Sequence, residues 1–186
     1  MACGKLTLDQ LIDCDFPVQS GTADSCKILS ITDIATSAFN ATTKAYDDLT
    51  NTVPGSAVTV QGINNSIKPK YSRVQVGVFS RYDHEISMTG FDISPAAKHD
   101  LENGVDGRYV VVVENTFRGE DGRSAFEIYG LGTGLKLVDL MRDVTDTETQ
   151  GAFSFRFFTE LNKEAKMPAS LWDTDYATTK AIYTAL

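Results

Sequence analysis

Two histidines and three cysteines among 186 residues leave little material for metal or nucleophile chemistry. A zinc site needs nitrogen or sulfur ligands at short spacings. Cys3, Cys14 and Cys26 form no C-x-x-C pair, and His84 and His99 lie far along the chain. An odd cysteine count without a secretory leader also argues against a disulfide framework, so all three are read as free thiols. No apolar run approaches the roughly 20 residues that span a bilayer. The start, MACGKLTLDQLIDCDF, lacks the charged segment and apolar stretch of a secretory signal, which predicts assembly in a cytoplasm. Positive charge is short as well: 17 Lys and Arg face 25 Asp and Glu, for a net charge of −8. Tight nucleic-acid binding draws on Lys and Arg that neutralise phosphates, so the balance disfavours it. An acidic surface suits a protein that nucleic acid must slide past without sticking.

Each familiar catalytic pattern fails at a named position. His84-Glu85 opens like H-E-x-x-H, but the second ligand position is Met88, and both residues read as surface strand positions. No G-x-S-x-G elbow occurs. Gly130-Leu131-Gly132-Thr133-Gly134 follows a strand as a dinucleotide fingerprint would. Its third glycine comes one residue early, however, and the following LKLVDL reads as strand rather than helix, so the segment is a bend between two strands. Asp143, Asp146 and Glu148 in RDVTDTETQG lack the spacing of a calcium loop and read as a solvated acidic segment, its charge turned toward a neighbour or a lumen. The reading assigns no catalytic, cofactor-binding or metal residue, and expects no enzyme.

Strand signal, by contrast, is dense from Gly107 to Glu160. Tyr109 to Val113 is the β-branched run of a strand buried on both faces, and RGEDGR between Phe117 and Ser124 is a hairpin turn. Ser124 to Gly130 alternates, with Phe126 and Ile128 on one face. Gly151 to Leu161 sets Phe153, Phe155 and Phe157 against Ser154, Arg156 and Phe158. The prediction is an antiparallel β core.

Around it the chain divides into an extended N-terminal arm, residues 1–25, and one domain, residues 26–186, a length suited to a single core. TLDQLID offers a helical turn or two inside the arm, and Lys27 to Ile31 a short strand. The Thr- and Ala-rich stretch from residue 33 to 56 stays unassigned between loop and weak helix. Asn40-Ala41-Thr42 and Asn64-Asn65-Ser66 match a glycosylation acceptor, without consequence where no secretory signal is read. Ala57 to Gln61 and Tyr71 to Phe79 are expected to form a hairpin through GINNSIKPK, with Val74, Val76 and Val78 on one face, and His84 to Phe91 to extend it through Ile86 and Met88. Ser94-Pro95 caps and opens a helix that faces the sheet through Ala97 and Leu101 and stops at Asn103-Gly104, with Gly104 left-handed; strand, helix and the next strand make a β-α-β passage. NKEAKMPASLWDTD is read as a loop, and Asp175 as the cap of a final helix from Tyr176 to about Ala185. Ala177, Ala181 and Ala185 would form its packing stripe, with Tyr183 and Leu186 extending that contact to another subunit.

From about Met88 to Leu186, the segments SPAAKHDLENGVDGRYVVVVEN, the hairpin at GEDG, AFEIYGLGTGLKL, GAFSFRF and DYATTKAIYTAL resemble the major tail (tail tube) proteins of long-tailed bacteriophages and of their prophage relatives in Bacteroidetes-type hosts. The resemblance implies a mainly β (α+β) fold, an antiparallel β-sandwich with a flanking helix and a C-terminal helix. It implies a virion protein of the tail, assembled in the bacterial cytoplasm as stacked hexameric rings whose inner strands form a continuous barrel for DNA ejection. Tape-measure and tail-terminator proteins are the implied partners, with DNA passing through unbound. An acidic lumen lining is expected, drawn first from RGEDGR and from Asp143 to Glu148. The alternatives are a head-completion or neck protein, and a monomeric ligand- or carbohydrate-binding β-sandwich.

Overall fold

A computed structural model describes residues 21–63, 66–161 and 163–186. Strands make up about 47% and helices about 15%, so the chain is mostly β. The strands are β1 (Thr22–Ser30), β2 (Ile34–Asn40), β3 (Ala45–Asn51), β4 (Val58–Gln61), β5 (Lys68–Val76), β6 (Phe79–Gly90), β7 (Tyr109–Asn115), β8 (Phe126–Tyr129), β9 (Lys136–Arg142), β10 (Phe153–Phe158) and β11 (Ala169–Leu171). Helix α1 spans Pro95–Asn103 and α2 spans Tyr176–Ala185. One sheet runs β2-β3-β11-β8-β7-β1-β4 and the other β5-β6-β10-β9. Pairing is antiparallel throughout except for the single β11–β3 contact, Leu171 with Tyr46, which is parallel.

Strand β7 explains the layering. Its odd residues Val111 and Val113 join Cys26, Ile28 and Tyr129 in a core that Ile86, Met88, Phe153, Phe155 and Phe157 complete from the second sheet. The even residues Val110 and Val112 join Leu29, Phe126, Ile128 and Leu171 against Tyr183 of α2 and Leu186. All four valines are fully buried, as the unbroken β-branched run requires. The two sheets thus share one core, compatible with a β-sandwich, and α2 covers a second core on the other face of the larger sheet.

Both helix starts follow their sequence signals. Ser94 accepts a hydrogen bond from Ala97 N–H, and Asp175 accepts one from Thr178 N–H. Leu101 of α1 packs on the shared core, and α1 carries the chain from β6 in one sheet to β7 in the other.

Several expectations are corrected. Ala57–Gln61 and the next strand are not a hairpin: β4 pairs with β1, whereas β5 pairs with β6 in the other sheet. The connecting segment crosses between sheets because Ile67 is buried in the shared core and its carbonyl accepts a bond from the Thr22 hydroxyl. Lys68 to Lys70 belong to β5 rather than to a turn, since an edge strand tolerates Pro69. Val78 sits in the tight turn after β5, behind Gly77 at φ 61°, and not on the strand face with Val74 and Val76. The unassigned stretch holds β2 and β3, joined by a turn in which the Asn40 side chain accepts from Thr42 and Thr43 N–H. The loop after Leu161 contains β11. Gly104 is right-handed, at φ −76°. Ala177, Ala181 and Ala185 face solvent while Tyr183 and Leu186 are buried in their own core, because the helix presents its larger apolar residues to the sheet. The strand expected at Lys27 begins at Thr22, so residues 22–25, assigned to the arm, lie in a sheet. The helical turn expected at TLDQLID, with Cys3 and Cys14, lies outside the described residues.

Candidate functional site

The bend Gly130–Gly134 is the place where sequence patterns and buried polar groups meet. It carries the chain from β8 to β9, that is, from one sheet to the other. Gly130 sits at φ 77°, and a Cβ there would stand 2.6 Å from Leu135 Cγ and 3.0 Å from the Tyr109 carbonyl, so only glycine fits. The expectation of a bend followed by a strand holds.

The amides of this bend do meet an anion, and it belongs to the chain. Glu164, 4% exposed, takes Gly132 N–H on Oε2 at 3.2 Å, and on Oε1 accepts Thr133 N–H at 2.8 Å and the Thr133 hydroxyl at 3.0 Å. Its backbone is held in turn, exchanging N–H to O bonds of 2.9 and 3.0 Å with Tyr82 of β6. A carboxylate thus fills the space where a nucleotide phosphate would have to sit.

His84 closes the other side. It is 2% exposed rather than a surface residue, because β6 turns it inward with Ile86 and Met88. Its Nδ1 accepts Gly130 N–H at 3.1 Å, which leaves the proton on Nε2 to be donated to the Lys166 carbonyl at 3.0 Å. The edge of the ring meets Tyr129 at a centroid distance of 5.6 Å. Burial holds its pKa below the ordinary imidazole value, against the opposing pull of Glu164, Asp83 and Glu127. Thr159 ties the same segment to β6: its hydroxyl accepts His84 N–H at 3.0 Å and donates to Asp83 at 3.1 Å, and Asp83 pairs with Lys163 at 2.5 Å.

No family model matches this chain, and no curated protein or solved structure matches it.

The other sequence candidates are dispersed. Glu85 points to the opposite face of the four-stranded sheet, between Lys70 at 3.1 Å and Arg156 at 3.5 Å. His99 is exposed on α1, 3.0 Å from Asn103 Nδ2. Asp143 and Asp146 spend their carboxylates on their own loop, accepting from Thr145, Glu148 and Thr149, and these bonds hold both below the ordinary carboxylate range. Among the described residues no three His, Cys, Asp or Glu side chains are grouped to hold a metal ion. Cys26 lies in the shared core with its thiol pushed up to about 12 by burial. RGEDGR forms the β7–β8 connection as expected. A shallow depression of about 410 Å³ beside it is lined by Arg118, Asp121, Asp175 and Tyr176. Arg118 already lies over the Tyr176 ring at 4.1 Å, and Asp175 caps α2.

Two surfaces of another kind are prominent. Among the described residues the four-stranded sheet ends on strands β5 and β9, each paired on one side only. Each is modified where it would otherwise pair indiscriminately: β5 carries Pro69 between two lysines, and β9 is bulged opposite β10, with Asp139 at φ 53°. The tip of the β5–β6 hairpin stands in solvent, with Val76 and Phe79 exposed and Val78 87% exposed. From Lys68 to Tyr82 this hairpin has four cationic residues and no acidic one, in a chain of net charge −8. No helix among the described residues is long and apolar enough to cross a membrane.

Sequence reasoning missed Glu164, because one acid in a polar loop carries no local signal. The clue was the glycine-rich bend itself, whose convergent amides call for an anion from somewhere.

Proposed function

We propose that this chain is a virion structural protein, a tail tube subunit with a β-sandwich fold that polymerises into stacked hexameric rings, and that it has no catalytic activity of its own. The observation that carries the reading is the four-stranded sheet whose two edge strands have no outer partner among the described residues. In the order β5-β6-β10-β9 all pairs are antiparallel, so β5 and β9 run in opposite directions. In a ring of copies related by rotation about an axis along the strands, β9 of one copy meets β5 of the next antiparallel, and the sheet continues without reversal. Such a heterologous, closing contact removes the exposed edges. The exposed hairpin tip offers a basic and apolar contact to acidic copies. The segment from Asp143 to Glu148, beside exposed Met141 and Val144, is a fitting counterpart.

A ring closed this way turns toward its axis the face opposite the shared core. That face carries the row Lys70, Glu85, Arg156 and Asp139, in which each charge has an opposite neighbour. In this reading the lining for DNA joins these compensated pairs with Lys68 and Arg81 of the same face rather than presenting bare acid, and RGEDGR, on the other sheet, is not part of it. Compensated charge offers phosphate little to bind, which suits passage of a duplex. Tape-measure and tail-terminator proteins are the partners that the resemblance implies, and the virion tail is the proposed location.

Negative-stain microscopy of the purified full-length chain at increasing concentration tests the proposal. Rings or tubes of constant diameter are expected. A monomer at all concentrations, with sheet edges protected from nothing but solvent, would overturn it in favour of a ligand-binding domain.

A further inference from the structure

The clasp around Gly130–Gly134 does more than fill space. Thr159 and the residues from Lys163 to Lys166 lie against β6 as a strap, held by Thr159, by the Glu164 backbone and carboxylate, and by the Lys166 carbonyl. Two of the elements it joins, β6 and the bend after β8, meet at His84. Both ring nitrogens are committed to fixed backbone groups of opposite character, a donor at Gly130 and an acceptor at Lys166. Only the neutral ring satisfies both.

We infer that His84 is the pin of an acid-released latch: a second ring proton sets N–H against the Gly130 N–H while the strap keeps the ring from water, so the charged ring is favoured where the strap has opened, and acid frees the strap from the bend and from β6. Every charged group facing the ring bears on this. On the strap Glu164 draws the ring toward its charged form, but its oxygens are occupied by Gly132 and Thr133. On β6 Asp83 is neutralised by Lys163, and on β8 Glu127 accepts the Tyr129 hydroxyl. Tyr71 of β5 pairs opposite His84. The ammonium of Lys166 lies away over the Phe39 ring. The acids from a distance and the Lys166 carbonyl in contact therefore favour the charged ring, while burial and the Gly130 N–H oppose it and prevail. The sign follows: a group that binds its proton less readily when folded contributes stability present above its ordinary value of 6.5, lost as pH falls below it.

The test uses the full-length chain. Imidazole NMR reports two histidines, and His84 is expected to be neutral with its proton on Nε2 at pH 7. Hydrogen exchange, corrected for intrinsic rates, should show protection of the Thr159 and Glu164 amides, which donate to the His84 and Tyr82 carbonyls, falling about tenfold or more between pH 7 and pH 5 while β7 stays protected. In His84→Gln, whose amide can accept from one side and donate to the other but gains no proton, the strap should be indifferent to pH. Should that variant fail to fold, the ring titration and strap exchange of the unaltered protein decide alone. Strap protection unchanged to pH 5, a ring already charged at pH 7, or equal acid release in a folded His84→Gln variant overturns the latch.

Discussion

Replacing Glu164 with alanine removes the acceptor that the Gly130–Gly134 bend is built around. Three hydrogen bonds to a carboxylate are lost, and bonds to a charged group contribute about 1.5–3 kcal/mol each when the partner is left buried. That full sum does not apply, because Gly132 is exposed and its N–H can turn to water. The Thr133 N–H and hydroxyl are half-buried and lose more. The expected cost of Glu164→Ala is about 2–3 kcal/mol, against about 1 kcal/mol for Glu164→Gln, which keeps one oxygen toward Thr133. For a chain of this size that places the alanine variant about 4–12 °C lower in Tm. Urea unfolding followed by tyrosine and tryptophan fluorescence measures it, and an unchanged m-value would confirm that the folded and unfolded states keep their extents. A Glu164→Ala variant within about 0.5 kcal/mol of the parent would show that water replaces the carboxylate without cost, and the account of the bend as an internally filled anion nest would be wrong.

Three other outcomes follow from the packing. Phe126 is fully buried between Tyr176 and Tyr183, with centroids 5.8 and 5.1 Å away, so Phe126→Ala should cost about 3–5 kcal/mol in urea unfolding; less than 1 would mean that α2 is not anchored there. Cys26 should resist iodoacetamide at pH 8 in the folded chain and react in urea, as read from the mass of its peptide; rapid labelling of the folded protein would contradict its burial and raised pKa. Under the proposed ring assembly, Val78→Asp in the exposed turn of the β5–β6 hairpin should leave stability within about 0.5 kcal/mol and abolish ring stacking in micrographs, whereas normal tubes would remove the hairpin from the proposed assembly surface.

Local signals made much of the fold legible in the sequence. The valine run announced β7 as buried on both faces, the Phe153, Phe155, Phe157 alternation announced the inward side of β10, and Ser94 and Asp175 announced both helix starts, since strand period and caps act within a few residues. What failed depended on distant partners. Nothing near GINNSIKPK says that its two flanking strands join different sheets; that follows from where Ile67 finds a core. The outward turn of the alanines in α2 followed from Tyr183 and Leu186 being needed under it, and His84 was buried because its two ring nitrogens find partners 46 and 82 residues away. Glu164 belongs to the same class: its role is set entirely by a bend some 30 residues earlier.

On the ribosome, the pairing of β1 with β7 becomes a matter of time. About 80 residues separate the end of β1 from the start of β7, and at 5–20 residues per second that is a wait of roughly 4–16 s. Through it, among the described residues Cys26 and Ile28 have only the four residues of β4 as a strand partner and Leu29 has none, and a lone two-stranded ribbon is marginal in water. The β2–β3 and β5–β6 hairpins close locally in microseconds, so the nascent chain collects finished hairpins around a missing centre. The arrival of four valines then gives β1 its long partner and seeds both cores, which Phe126, Phe155 and Tyr183 fill as they follow, and until that moment the first described strand is the one most in need of a chaperone.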